Sequence, residues 1–90
     1  MLDKIKMSLR ISSNDFDAEL STLMNACLSE LRLNGVDVTN SQYEDLVQLA
    51  VNNFCKTHFG CNEKADQYNK MYNSLKSYLM TACKVIGYGD

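Results

Sequence analysis

No proline occurs in the ninety residues, and glycine stands only at positions 35, 60, 87 and 89. Backbone breakers are therefore missing from the interiors of three long stretches. Strand-rich folds need turn residues at far closer intervals. Between the glycines, apolar residues recur at three and four, the spacing of one helix face. The predicted fold class is all-α: a compact bundle of about four helices, one short and N-terminal, three longer.

The first helix is expected over about Leu2 to Arg10, with Leu2, Ile5 and Leu9 on one face. It is too short to persist alone in water and must pack on something. The polar cluster Ser12-Ser13-Asn14-Asp15 then interrupts the pattern. A second helix is expected from about Asp15 to Leu33, with Ser13 or Asn14 as N-cap and Asp15, Asp17 and Glu19 at the positive end of the helix dipole. Its apolar stripe is Phe16, Leu20, Leu23, Cys27 and Leu31, widened by Met24 and Leu28. Gly35 is placed to close it as the left-handed C′ residue. Residues 36–40 alternate apolar and polar, which fits a loop with room for a short extended segment.

Ser41-Gln42-Tyr43-Glu44 fits a capping box and predicts the start of a third helix. Tyr43, Leu46, Val47, Ala50, Val51, Phe54, Cys55, His58 and Phe59 follow at helical spacing, and Gly60 ends the run. So wide an apolar face marks the central core helix. A polar connection, Asn62-Glu63-Lys64, leads to a fourth helix over about Lys64 to Lys84, lined by Ala65, Tyr68, Tyr72, Leu75, Leu79 and Ala82. Phe16, Leu20, Leu23, Leu46, Ala50, Phe54, Leu75 and Leu79 are expected to be largely buried. One domain over residues 1–90 is expected, with a flexible tail from about residue 85.

The composition, 46% hydrophobic and 22% charged, is that of a folded chain rather than a disordered one. A chain of this size buries roughly 60–65% of its unfolded surface. Its core is modest, and assembly is a common source of further stability. The net charge of −2 and nine basic residues do not build the basic face on which non-specific DNA binding relies. Met1 is followed by a charged amphipathic segment instead of an apolar signal region, and no run reaches the roughly 20 apolar residues of a membrane span. Cys27, Cys55, Cys61 and Cys83 are accordingly expected as reduced thiols in a cytoplasm.

Candidate chemistry is sparse. Cys55, His58 and Cys61 read C-x2-H-x2-C, a spacing that matches no common zinc pattern, and a fourth ligand such as Cys83 or Asp66 would have to come from the next helix. A buried, inert Cys55 and a His58 at a helix C-terminus explain the same residues. His58 is the only histidine, so cysteine nucleophile chemistry has one base to draw on. Asp15, Asp17 and Glu19 read as helix-start residues and Glu44 as a capping partner. No catalytic, cofactor-binding or metal-binding residue is assigned, and no cofactor is expected. Tyr68, Tyr72 and Tyr78 fit an aromatic contact surface or a partly buried core equally well. Lys4, Lys6 and Arg10 read as a solvated face more readily than as a patch for DNA or an acidic partner. Leu28, Leu33, Leu49, Met71 and Tyr78 exceed what one small core consumes.

Several segments in order carry a resemblance: the opening "LDKIKMSLRIS", the acidic helix start "NDFDAEL", the helix "LMNACLSEL" ending near Gly35, the helix "YEDLVQLAVNNFCKTHFG", and the Tyr-rich "DQYNKMYNSLKSYL". Together they resemble the head–tail connector (adaptor, head-completion) proteins of tailed bacteriophages, in the short form of phages and prophages of low-GC Gram-positive bacteria. Phe54 stands where the family run carries a tyrosine, which keeps the ring and loses the hydroxyl. The resemblance implies an all-α structural virion protein without enzymatic activity. It implies a homo-oligomeric ring beneath the portal protein that extends the DNA channel, with passing contact with DNA, and offers a platform to the next head-completion or tail protein. No membrane partner is implied, and the location would be the virion, with the host bacterial cytoplasm during assembly. The alternative is a small helical DNA-binding or regulatory protein of a mobile element. It would need a basic recognition helix, and the third helix carries only Lys56. A zinc or redox domain built on the four cysteines is a third reading.

Overall fold

The computed structural model describes residues 1–60 and 63–86. Its helices are α1 (Leu2–Leu9), α2 (Asp17–Leu33), α3 (Glu44–His58) and α4 (Ala65–Ile86), with one 3-10 turn, Ser41–Tyr43, leading into α3. No strand occurs among the described residues. The all-α bundle expected from the spacing of apolar residues is the observed architecture. The central element is α3, against which α1, α2 and α4 all pack, most extensively α4.

Local chemistry sets the helix ends. Gly35 has φ 87°, its N–H donates to the Arg32 carbonyl at 3.0 Å, and Val36 N–H reaches back to the Leu31 carbonyl at 3.0 Å. This Schellman closure, with buried Val36 and Leu31 at its apolar contact, is the one predicted for Gly35. The same motif ends α1 with an arginine in the glycine position. Arg10 has φ 59°, and Arg10 and Ile11 donate to the carbonyls of Met7 and Lys6. Helix α1 therefore stops at Leu9, one residue short of expectation.

Two predicted caps are corrected. Neither Ser13 nor Asn14 caps α2, which begins at Asp17 with Phe16 in the N-cap position. The Ser13 hydroxyl accepts from Asp15 N–H, and the Asn14 carboxamide oxygen accepts from the Lys6 ammonium at 2.8 Å. Both groups are spent on the loop. At the other start, the Ser41–Glu44 capping box does not form. Asn40 takes the cap, its Oδ1 accepting from Gln42 N–H at 2.9 Å, and the chain winds through a 3-10 turn before the α register begins at Glu44. Residues 36–40 hold no extended segment. Asp37 folds the backbone back through a bond from Thr39 N–H, while Val36 and Val38 still point into the core.

The core holds Ile5 of α1, Leu20, Cys27 and Leu31 of α2, Val47, Ala50, Val51 and Cys55 of α3, and Tyr72 and Leu79 of α4. Of the residues expected inside, Leu20, Ala50 and Leu79 are fully buried, while Leu23, Leu46, Phe54 and Leu75 are half-buried at its margin. Phe16 is a correction: it is 43% exposed. As the N-cap it stands beyond the end of the stripe, and its ring meets Phe59 edge-on at 5.3 Å. The expected start at Lys64 moves to Ala65, and α4 continues to Ile86, two residues into the expected tail. Gly87–Asp90 lie outside the described residues, as do Cys61 and Asn62.

Candidate assembly surface

Helices α2 and α4 run side by side in the same direction. Glu30 meets Tyr72 and Lys76, and one turn further on Asn34 and Gly35 share a cleft with Met80 and Thr81. The join is polar. The Tyr72 hydroxyl donates to Glu30 Oε1 at 2.6 Å, and the Lys76 ammonium stands 3.4 Å from Glu30 Oε2 and 5.5 Å from the centre of the Tyr72 ring. Burial, then the bond to Glu30, pushes the Tyr72 hydroxyl's pKa upward. The Tyr72 bond, followed by Lys76, holds the Glu30 carboxyl below its ordinary range. One oxygen of Glu30 thus makes a short bond, and the other has only a long one.

Beside this clasp a groove of about 510 Å³ opens between the two helices over the C-terminal part of α3. Phe54 and Tyr72 form its aromatic lining, their rings edge-on at 5.3 Å, and His58 lies 4.5 Å from Phe54. Glu30 stands on the α2 wall, and Asn69 and Asn73 on the α4 wall. Asp66 lies on the same α4 face, one turn before Asn69, and is exposed. The groove therefore sets the half-buried Phe54 ring beside carboxamide side chains and a carboxylate already paired with Lys76 and Tyr72.

A second, shallower depression of about 320 Å³ lies between α3 and α4, lined by Leu49, Lys70, Met71, Ser74 and Leu75. Leu49 and Met71 are each about half exposed, at 44% and 48%. Leu33 is 88% exposed at the end of α2, and Tyr78 59% exposed on α4. Of the five apolar residues read as surplus, only Leu28 is drawn against the core.

The three tyrosines of α4 separate. Tyr72 is buried, Tyr68 is half-buried beneath the Lys56 ammonium at 5.1 Å, and Tyr78 faces solvent. The basic residues of α1 and its C-cap separate too. The Lys6 side chain is 12% exposed and bridges Asp17 at 2.8 Å, tying α1 to the start of α2, while Lys4 and Arg10 face outward. The clasp escaped the sequence reading: Glu30 lies 42 residues from Tyr72. Its one signal is a carboxylate at the edge of an apolar stripe, one turn after Cys27.

Cys55 and His58 do not converge on a shared ligand site. Cys55 is buried, which pushes its thiol up to about 11, and His58 is exposed against Phe54. Cys61, the third member of that motif, lies outside the described residues. Cys27 is pushed up to about 12, by burial first, against an opposing hydrogen bond with Tyr72. Both thiols keep their protons at neutral pH, so neither offers a thiolate nucleophile. No group of three His, Cys, Asp or Glu is placed to hold a metal among the described residues, and no helix there is long and apolar enough to cross a membrane. What the surface offers is a polar–aromatic groove and several exposed apolar side chains.

The model of a family described as phage connector protein matches residues 1–85. No curated protein and no solved structure gives a significant match.

Proposed function

Because this chain belongs to the phage connector protein family, a structural family of the virion, we propose that it works as a head–tail connector, assembling as a ring beneath the portal. The ring extends the DNA channel, touches the passing DNA and presents a platform to the next head-completion or tail protein. The protein acts as one domain over its ninety residues, without catalytic residues or cofactor, and assembles in the host cytoplasm. The family match from residue 1 to 85 carries this reading.

The surface supports it. A closed ring joins subunits through two different patches on each. This chain has a polar–aromatic groove between α2 and α4 and an apolar depression between α3 and α4, on different faces of α4. The alternative of a DNA-reading regulator loses ground, because Lys56 is the one Lys or Arg of α3 and its ammonium is engaged over Tyr68. Mixing the protein with its cognate portal oligomer and imaging the complex tests the proposal. A ring of density on the clip end of the portal is expected. Particles that keep their DNA and attach tails after deletion of the gene would defeat it.

A further inference from the structure

Helix α1 is an arm with a single deep anchor. Ile5 is its one fully buried residue, while Leu2 and Leu9 lie at the margin of the core. Its polar tie to α2 is the bridge from Lys6 to Asp17 at 2.8 Å. The joint behind it is strained. Arg10 sits at φ 59°, where a side chain crowds the backbone and glycine would be at ease. Five residues in a row, Ser12 to Phe16, are then exposed before α2 begins. The seat beneath the arm also tolerates water. At its edge the Gln48 carboxamide donates to Asn52 Oδ1 at 2.8 Å, a bond within α3, and its contact with the Met1 carbonyl is long, at 3.5 Å. Lifting α1 therefore leaves the Gln48 amide still bonded.

We infer that α1 is an exchangeable arm: in the assembled ring it leaves its own bundle and seats on α2 and α3 of the next copy. The assignment rests on the ring reading above and supplies its subunit contact. The occupant is fixed by a complementarity already present in the molecule, since the seat that receives a neighbour's α1 is the one that holds its own. Ile5 enters the same apolar cluster and Lys6 makes the same bridge, now on the neighbour. Exchange passed from each copy to the next is head-to-tail, the kind of contact that closes a ring. The link is long enough. The seven residues from Arg10 to Phe16 join α1 to α2. Extended, they span roughly 23 Å, and the two shorter dimensions of the molecule are 23 and 18 Å. Exchange trades like contacts for like. Its gain is the release of Arg10 from the left-handed region, and its cost is bringing copies together. The portal lowers that cost by gathering copies at high local concentration, while the free protein keeps α1 on its own bundle.

The Lys6–Asp17 bridge is itself the probe. A carbodiimide, which joins amines directly to carboxylates, is applied to an equal mixture of 14N- and 15N-labelled protein. In the free protein every Lys6–Asp17 link should lie within one chain and carry one label. In rings assembled on the cognate portal, half of the links should carry both labels, the statistical share for complete exchange. Rings whose links stay within single chains, or carry both labels in a clearly smaller share, would overturn the exchange and leave the ring standing. Absence of any ring would remove the ring reading, and the exchange with it. Hydrogen exchange of the free protein gives an independent measure. Amides of α1 should exchange well ahead of those of α3, and Arg10→Gly should slow them about fivefold by relieving the closed joint. Protection of α1 equal to that of α3, or no slowing in Arg10→Gly, would show an arm that does not open at that joint and would overturn the proposal.

Discussion

Helix α2 has two sides of unlike construction. Toward the core, Leu20 and Leu31 are fully buried in the same apolar cluster as Val47, Val51 and Cys55 of α3. Toward α4, the join is a tyrosine hydroxyl, a carboxylate and an ammonium, beside an open groove. The first side draws its stability from area removed from water, which involves no titrating group. The second holds its partner by directed polar bonds around a half-exposed carboxylate. Under the proposed ring reading, that division would let a small subunit fold first and engage neighbours afterwards. The α3 side keeps the bundle folded, and the α4 side can meet another protein without exposing the core.

The contrast breaks most directly at Leu31. Leu31→Ala should cost about 2–5 kcal/mol, the range for a large core residue truncated to a cavity. Urea unfolding measures it, and a loss below about 1 kcal/mol would show that the α2–α3 side is not the stabilising one. Phe54→Ala should cost less than Leu31→Ala, because that ring is half-buried at the groove.

On the polar side the effects are smaller and depend on pH. Tyr72→Phe removes the donor to Glu30 and should cost about 1–2 kcal/mol. Glu30 is held below its ordinary value of 4.5, so the folded state binds its proton less readily than the unfolded chain does. Its contribution is complete above that value and is lost as pH falls through the depressed folded value. The carboxylate is 41% exposed, so solvent screening keeps the contribution small. Stability measured against pH should therefore show a shallower acid-side fall in Glu30→Gln than in the wild type. An unchanged slope would mean that the clasp is not formed in solution. Tyr43→Phe sharpens the point. That hydroxyl is buried without a hydrogen-bond partner among the described residues, so its removal should bring no loss in a urea titration.

Thiol chemistry separates buried from accessible positions. In native protein, Cys27 and Cys55 should stay unlabelled by maleimide near neutral pH, since burial raises both thiols, whereas Cys83, half-buried on α4, should react sooner. Peptide mapping by mass spectrometry reads this, and prompt labelling of Cys27 would contradict a closed α2–α3 side. A small effect is also expected at Leu33. At 88% exposure, Leu33→Ser should change stability by no more than about 0.5 kcal/mol. A larger loss would mean that Leu33 packs on something in the free protein.

The number, order and type of helices were legible because they depend on local rules. Without proline, and with apolar residues at three and four, the backbone has few alternatives. Gly35 ends α2 as expected because only a residue at ease with positive φ suits that position. Arg10 takes the same conformation with no such signature, held there by the bonds to Met7 and Lys6 carbonyls and by Ile11 packing against the core. The capping residues were misread where several short polar side chains stand in a row. Asn14, Asn40 and Ser41 all satisfy the local rule, and the tertiary partner decides among them: Lys6 claims the Asn14 side chain, which leaves α2 without a side-chain cap.

The amphipathic stripes determined which residues face inward, and the order of the segments carried the resemblance to the phage connectors. Only the packed structure decided how deep each residue sits. It put Phe16 beyond the end of the α2 stripe, edge-on to Phe59, and it parted Tyr72 from Tyr78 on one helix. It also made the Glu30–Tyr72–Lys76 clasp and the groove beside it. Periodicity assigns a side chain to a face of its own helix, whereas a contact spanning 42 residues depends on how two helices lie against a third.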